Sequence, residues 1–367
     1  MTRPTGLAPL DAAGVQRVLD AAIGDAVVGA LIRVDDREIG AWTATAGSAQ
    51  AGGHVPVDPR GNFRIGSITK TLVATVVLQL VADGAVRLDG PVQRHLPGVL
   101  PSGYPPITVR DLLHNTSGIP NYLPEVLSSP DDILANRTQT WTPEQLVALA
   151  TAHPPEFEPG TALGYSNTNY VLLGLLIQEV TGNWWGTEVD RRIARPLGLA
   201  STFAPGDDPA LPPPRAHGYL TVTNRGQRQL VDVTDYPMSV ADAAGSMISS
   251  ARDLNAFLGA LLGGELLPAA LLERMLVPSD KGLLLGVAGW GLGVMTLTLP
   301  GPSGGRPVHG TGGGIHGYAG LALATRDAHR RVTVSLNTAD NEPTGQVQTL
   351  LGIAWAAFSG DGASPHS

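Results

Sequence analysis

The 367-residue chain has no cysteine, and only two of its 24 Lys and Arg residues, Lys70 and Lys281, are lysine. The missing cysteines exclude disulfides, a thiol nucleophile and thiolate metal ligands together. Basic charge is also scarce: the net charge of −8 disfavours nucleic acid or an anionic membrane as the main partner. The N-terminal stretch MTRPTGLAPLDAAGVQRVLDAAIGD has no basic leader followed by a long apolar segment, which points to a cytoplasmic location if that terminus is native. The longest apolar run, near residues 71–82, is too short to span a bilayer. The histidines show no His-x-x-x-His or His-Glu-x-x-His spacing, so neither a metal nor another cofactor is expected. The glycine cluster 310–314 lacks the Gly-Lys-Ser/Thr ending of a phosphate loop. No internal repeat or low-complexity tract occurs.

What is present suits a globular protein, with 43% hydrophobic residues and a length fitting one large domain or two closely joined ones. Residues 10–24 carry helical spacing with Asp11 as N-cap. AVVGALIRV and EIGAWTATAG read as a hairpin around Asp35-Asp36-Arg37, and GYAGLALAT and RVTVSLNT as a second one around Arg326–His329. PTGQVQTLLGIAWAAF reads as a closing helix with Pro343 near its start. Between these ends lie helical patterns at 69–83, after Thr108, and at 142–152, 168–181, 251–263 and 268–276, with strand-like pieces at GYLTVT and QLVDVT. The expectation is an α+β fold: an antiparallel sheet with terminal helices from residues 1–60 and 285–367, and a mostly helical region over 61–284.

The stretch GSITK precedes the apolar run TLVATVVLQLV. On a helix, positions i and i+3 share a face, so Ser67 and Lys70 would present a hydroxyl and an amine side by side. Serine needs an adjacent base to become a nucleophile, and lysine serves only if burial or nearby positive charge lowers its pKa. Arginine cannot take this role, because its guanidinium does not lose a proton. A helix N-terminus also offers backbone N–H groups to a developing oxyanion. The plainer alternative makes Ser67 a helix cap and Lys70 a solvated residue, although the helix dipole disfavours positive charge there. In GYSNTNYVLLGLLIQEVTG, Tyr165 lies before an apolar helix, where a phenol near Lys70 acts as base toward Ser67 and acid toward a leaving group. Asn167 would meet a substrate amide; the alternative is a cap at Asn167 and a core tyrosine.

Taken together, these stretches resemble the serine penicillin-recognising enzymes, in the branch of class C β-lactamases, D-alanyl-D-alanine carboxypeptidases and their esterase relatives. The family's Ser-x-x-Lys matches Ser67 and Lys70, and its Tyr-x-Asn matches Tyr165 and Asn167. FRIGSITK, ITVRDLLHNTSGIP, GSMISSARDLNAF, WGLGV and GGGIHGYAG follow in the family's order, and the similarity spans roughly residues 10 to 358. It implies a β-lactamase/transpeptidase-like fold with the active site in the cleft between the sheet and the helical region, an acyl-enzyme on Ser67, and Gly314 N–H as the second oxyanion donor beside that of Ser67. Relatives of this kind are often secreted or periplasmic.

The chain departs from the pattern at the third motif. Its expected cation falls on Thr311, followed by Gly312 and Gly313. His309 lies two residues earlier, on the same strand face, and a bulge would bring it into that role. His316, in the glycine-rich turn, either overhangs the cleft or is a solvated loop residue, the latter being favoured. Asn115 stands where the family usually has histidine, next to His114. Recognition of a free carboxylate needs a charged donor, and Met295 and Leu297 occupy the neighbouring strand where basic residues would help. The expected function is a serine acyl hydrolase acting on an ester or amide, D-amino-acid or peptide derived among them. The partner is a small-molecule or peptide acyl substrate. A transacylase or peptide-cyclising thioesterase, a D-alanyl-D-alanine carboxypeptidase or β-lactamase, and an inactive ligand-binding relative are the alternatives. The loop 121–140 and the region 200–240 are expected to shape the acyl pocket.

Overall fold

The computed structural model of the chain describes residues 7–224, 227–284, 286, 288–299, 306–339 and 343–359. Its frame is a seven-stranded antiparallel sheet. The strands are β1 (Val27–Asp36), β2 (Gly40–Gly47), β3 (Gly289–Trp290), β4 (Met295–Leu299), β5 (Arg306–Ile315), β6 (Tyr318–Thr325) and β7 (Arg330–Thr338). They lie in the order β2-β1-β7-β6-β5-β4-β3. The two hairpins expected from the chain ends are both present, and β1 pairs with β7 so that Leu31 faces Ser335 and Val34 faces Val332. The sheet is thus closed by joining the beginning of the chain to its end.

Helices cover both faces, because strand alternation sends apolar residues to both. On one face Ile32, Val34, Leu321, Leu323 and Val332 pack under α1 (Ala12–Ala21) and α5 (Pro343–Ser359), with Val15, Leu19, Ile353 and Phe358 contributed by those helices. Asp11 caps α1 by accepting from Gly14 N–H at 2.9 Å, as its position implied. The opposite face meets the helical region. There α2 (Thr69–Ala82) and α3 (Asn167–Thr181) are apolar around nearly their whole circumference and lie buried, as an all-round apolar helix must. A further helix, α4 (Ala251–Leu262), is tied to the sheet by Asn255, whose Nδ2 donates to Asp35 Oδ2 at 2.7 Å and whose Oδ1 accepts from Thr333 Oγ1 at 2.8 Å. The strand-like pieces pair as Tyr219–Asn224 with Gln227–Asp232. One small pairing had no sequence signal: Asn62–Arg64 with Ile248–Ser250, three residues each, which fixes the approach to Ser67. We propose that 1–60 with 285–367 and 61–284 are the chain's two units; a single apolar core runs from Phe63 and Leu72 to Tyr318 and Ala322 between them. Among the described residues no helix is long and apolar enough to cross a membrane.

Arg330 on β7 knots the ends together. Its Nε donates to Asp36 Oδ2 at 2.7 Å, Nη1 to the Ala357 carbonyl at 2.9 Å and Nη2 to the Ala8 carbonyl at 3.0 Å. Both partners of the ion pair are buried, at 3% and 4% exposure. Removing one partner of such a pair strands the other charge, at a cost of roughly 3–5 kcal/mol. Arg330→Met is therefore expected to lower stability by about that amount in urea unfolding, and adding Asp36→Asn should recover part of it. A single variant as stable as the parent would show that the knot contributes nothing.

Candidate active site

Ser67 sits in a 3-10 turn, Gly66–Ile68, that runs directly into α2. The turn is pressed against β5 by glycine alone. Gly66 has a φ of +51°, and a Cβ on it would fall 2.8 Å from the Gly314 backbone nitrogen. A Cβ on Gly313 would fall 2.1 Å from the Ile65 carbonyl and 2.7 Å from the Ser67 nitrogen. The backbones of Ser67 and Gly314 are thereby held side by side, the arrangement a two-donor oxyanion site needs. β4 pairs with β5 only from Arg306 to Gly310, so on that side β5 has no pairing partner from Thr311 to Ile315 among the described residues.

Lys70 is fully buried. Its Nζ lies 2.9 Å from Ser67 Oγ, 2.8 Å from Asn167 Oδ1 and 2.6 Å from the Ala244 carbonyl. Desolvation holds its pKa well below the usual lysine range. A neutral amine has two N–H donors and one lone pair. The two donors match the two obligate acceptors, Asn167 Oδ1 and Ala244 O, which leaves the lone pair for the Ser67 hydroxyl. No carboxylate is among the Lys70 contacts, and the rings of Tyr165 and Tyr170 lie 4.9 and 5.5 Å away.

Tyr165 Oη donates to Ser67 Oγ at 2.7 Å. Burial pushes this phenol up to about 12, against the lowering effect of its bond to Ser67. It stays protonated at neutral pH, so it has a proton to give. Its ring meets Trp290 edge-on, with centroids 5.8 Å apart, and Trp290 is anchored by Nε1 donating to the Leu113 carbonyl at 2.9 Å. Asn167 is buried and aimed at Lys70 rather than open for a substrate amide. Its Nδ2 donates to Asn121 Oδ1 at 3.2 Å. Asn115, at the family's usual histidine, adopts the left-handed conformation that asparagine tolerates. Its Oδ1 accepts from Ser166 N–H at 3.3 Å and Asn169 Nδ2 at 2.9 Å, which fixes the turn carrying Tyr165.

The residues around the missing cation fall differently from expectation. Thr311 is buried with its hydroxyl 2.6 Å from that of Thr71, so it faces α2 and not the substrate side. His309 is buried, its Nδ1 is 3.0 Å from Thr296 Oγ1, and desolvation lowers it to about 4; it is a neutral residue held by β4 and does not replace the cation. His316 is not the solvated loop histidine favoured above. It lies against Tyr236, ring centroids 5.1 Å apart, and burial lowers it to about 4. Met295 and Leu297, in contrast, do border the cavity beside Ser67.

That cavity has a volume of 380 Å³. Ser67, Tyr165, Trp290 and Gly313 line it, and the lining extends to Leu321 of β6 and to Val347, Leu350 and Leu351 of α5. Its described lining carries no charged side chain. None of the lining comes from 121–140 or 200–240, the segments expected to shape the pocket; of those segments Asn121 reaches the site, through Asn167. Sequence reasoning missed Asn121, Trp290 and the Ala244 carbonyl. The last carries no side-chain signal, although it immediately precedes the GSMISS stretch singled out above.

A family model described as Beta-lactamase matches residues 15–353. The esterase EstB of Burkholderia gladioli is 29% identical over 84% of this chain and 88% of its own. Among solved structures, a D-stereospecific amidohydrolase from Streptomyces sp. superposes with a TM-score of 0.82 at 40% identity, covering 93% of this chain and 98% of its own. The D-amino acid amidase of Ochrobactrum anthropi SV3, complexed with L-phenylalanine amide, gives 0.79 at 28%, covering 95% and 96%.

The contact between Gly313 and the Ser67 turn yields a test. Gly313→Ala must push β5 and the turn apart and separate the two backbone donors. Losing an oxyanion donor costs roughly 10²–10³ in rate, and fluorophosphonate labelling is expected to slow by that order. Labelling at the parental rate by a folded Gly313→Ala protein would show that the close approach is dispensable.

Proposed function

We propose, from the premise that this chain belongs to the Beta-lactamase family and is a serine hydrolase, that Ser67 is its nucleophile, Lys70 its base and Tyr165 its acid. The observation that carries this reading is the single circuit of contacts Tyr165 Oη–Ser67 Oγ–Lys70 Nζ, at 2.7 and 2.9 Å, around an amine stripped of water. Lys70 takes the Ser67 proton as Oγ attacks the carbonyl carbon. The oxyanion forms between the N–H groups of Ser67 and Gly314. As the bond to the leaving atom breaks, that atom takes the phenol proton of Tyr165, and the phenolate recovers the proton held by Lys70. Water then enters by the same steps in reverse and frees the acid.

The substrate side of the reading is a neutral ester or amide. Thr311 and His309 supply no charge where a carboxylate-binding cation would stand, and the described cavity lining is uncharged. The esterase and the two D-specific amide hydrolases reported above support D-amino-acid amides and esters as the class to try first. Intact-mass analysis with D-phenylalanine amide and its methyl ester should trap an acyl adduct in the native protein and none in Ser67→Ala. Faster turnover of an acyl-D-Ala-D-Ala peptide than of the matching ester would overturn the neutral-substrate reading.

Two changes test the proton roles. Lys70→Arg keeps a positive charge that cannot be shed, and turnover is expected to fall roughly 10²–10⁴-fold, the usual contribution of a general base. The rate should rise with pH as the Lys70 ammonium loses its proton, with a midpoint below the ordinary lysine range because burial disfavours the charged form. The descending limb, from the Tyr165 phenol near 12, should fall only in strong alkali. A rising limb in the ordinary range of an exposed lysine would remove Lys70 as the base.

A further inference from the structure

The cavity beside Ser67 does not stop at the catalytic groups. β5 turns its odd residues, Thr311 and Gly313, toward α2 and the Ser67 turn, and its even residues, Gly312 and Gly314, toward the α5 face of the sheet. A Cβ on Gly314 would meet nothing within 4 Å, and one on Gly312 would approach only Leu321 at 3.5 Å, Gly320 and Met295. The even face is therefore bare. Next to it, Leu297 and Leu321 form a floor, Val347, Leu350 and Leu351 of α5 a roof, and Leu284 and Ala288 a far wall. The result is an apolar trough that begins at Ser67, crosses the edge of β5 and runs beneath α5.

Which half of a substrate enters it follows from the positions of the acid and the amides. Tyr165, the proton donor to the departing atom in the mechanism proposed above, itself lines the trough, with its ring edge-on to Trp290, another lining residue. Asn167 and Asn121, the polar amides bonded to one another behind Lys70, do not line it. A departing atom within reach of Tyr165 Oη therefore directs its substituent into the trough. We propose that this trough is a leaving-group subsite for an unbranched or aryl apolar alcohol or amine, so that the preferred substrates carry a long apolar group on the departing side. The inference rests on the acyl-enzyme reading of Ser67 given above. The step it serves is balanced within that mechanism: the acyl–oxygen or acyl–nitrogen bond breaks, the departing atom gains the Tyr165 proton, and the neutral alcohol or amine leaves along the trough.

The test holds the acyl group constant and varies the leaving group. For D-phenylalanine n-alkyl esters from methyl to octyl, alcohol acidity scarcely changes, so the series reads the trough. KM is expected to fall roughly three- to fourfold per added methylene over the first carbons, as burial of each methylene would give, and then to level off. In Val347→Trp, which fills the roof, the octyl-to-methyl ratio of kcat/KM should collapse toward unity, whatever happens to the absolute rates. A flat ratio in the parent, or an octyl-to-methyl ratio that Val347→Trp leaves unchanged, overturns the inference. A binding readout separates this from failure of the hydrolase reading. n-Alkanols should protect Ser67 from fluorophosphonate labelling with potency rising with chain length, and this needs no turnover. Labelling that octanol leaves untouched counts against the trough alone. Absence of any labelling at Ser67 counts against the acyl-enzyme reading itself.

Discussion

The site depends on one constraint: an amine buried with acceptors but with no opposite charge. A lysine in this position is usually neutralised by a carboxylate, and the salt bridge then keeps its proton on. Here the partners are a side-chain carbonyl, a backbone carbonyl and a serine hydroxyl. Two acceptors satisfy the two N–H bonds of the neutral amine, and the hydroxyl meets its lone pair. Burial favours the neutral amine, and the geometry gives that neutral form a complete set of partners. Much of the remaining polar structure supports this arrangement. Asn121 holds Asn167, Asn115 holds the turn of Tyr165, and Trp290, anchored on the Leu113 carbonyl, packs against the Tyr165 ring.

The second constraint is steric. Two glycines, Gly66 and Gly313, let two backbone segments approach where side chains would keep them apart. They make the oxyanion geometry possible by subtraction, since any Cβ at Gly66 or Gly313 overlaps main-chain atoms. The small pairing of Asn62–Arg64 with Ile248–Ser250 leads the chain into this contact, and the same stretch continues from Ala244, whose carbonyl holds Lys70. One local stretch of sheet therefore positions the nucleophile turn and one of the acceptors that tune its base.

Much of this was legible beforehand, for reasons that differ by element. The terminal hairpins announce themselves as short apolar runs bounded by turn residues, and α1 through its Asp11 cap and its split face. Ser67, Lys70 and Tyr165 stood out because a rare lysine beside a serine at the head of an apolar helix makes chemical sense only when the helix is buried. What stayed hidden depends on tertiary contact. The Ala244 carbonyl has no residue signature, and Asn121 is one asparagine in a loop. His316 sits in a glycine-rich turn that reads as solvent-exposed, yet Tyr236, 80 positions earlier in the chain, covers it. Thr311 was placed on the correct strand, but the pairing partner of its hydroxyl, Thr71, could not be read from spacing.

In the function proposed above, a neutral base and a neutral substrate side are one requirement. A carboxylate brought next to Lys70 would favour its ammonium form, since a nearby opposite charge raises a lysine pKa, and would thereby switch off the base it needs. An enzyme that recognises carboxylates must compensate with a cation of its own near the incoming anion. Thr311 faces α2, His309 is neutral, and Met295 and Leu297 are apolar, so among the described residues no such compensation lines the cavity. An uncharged ester or amide leaves the field at Lys70 as it was. In that reading the burial of Lys70 keeps its amine neutral, and the uncharged described lining of the cavity offers a charged ligand no partner.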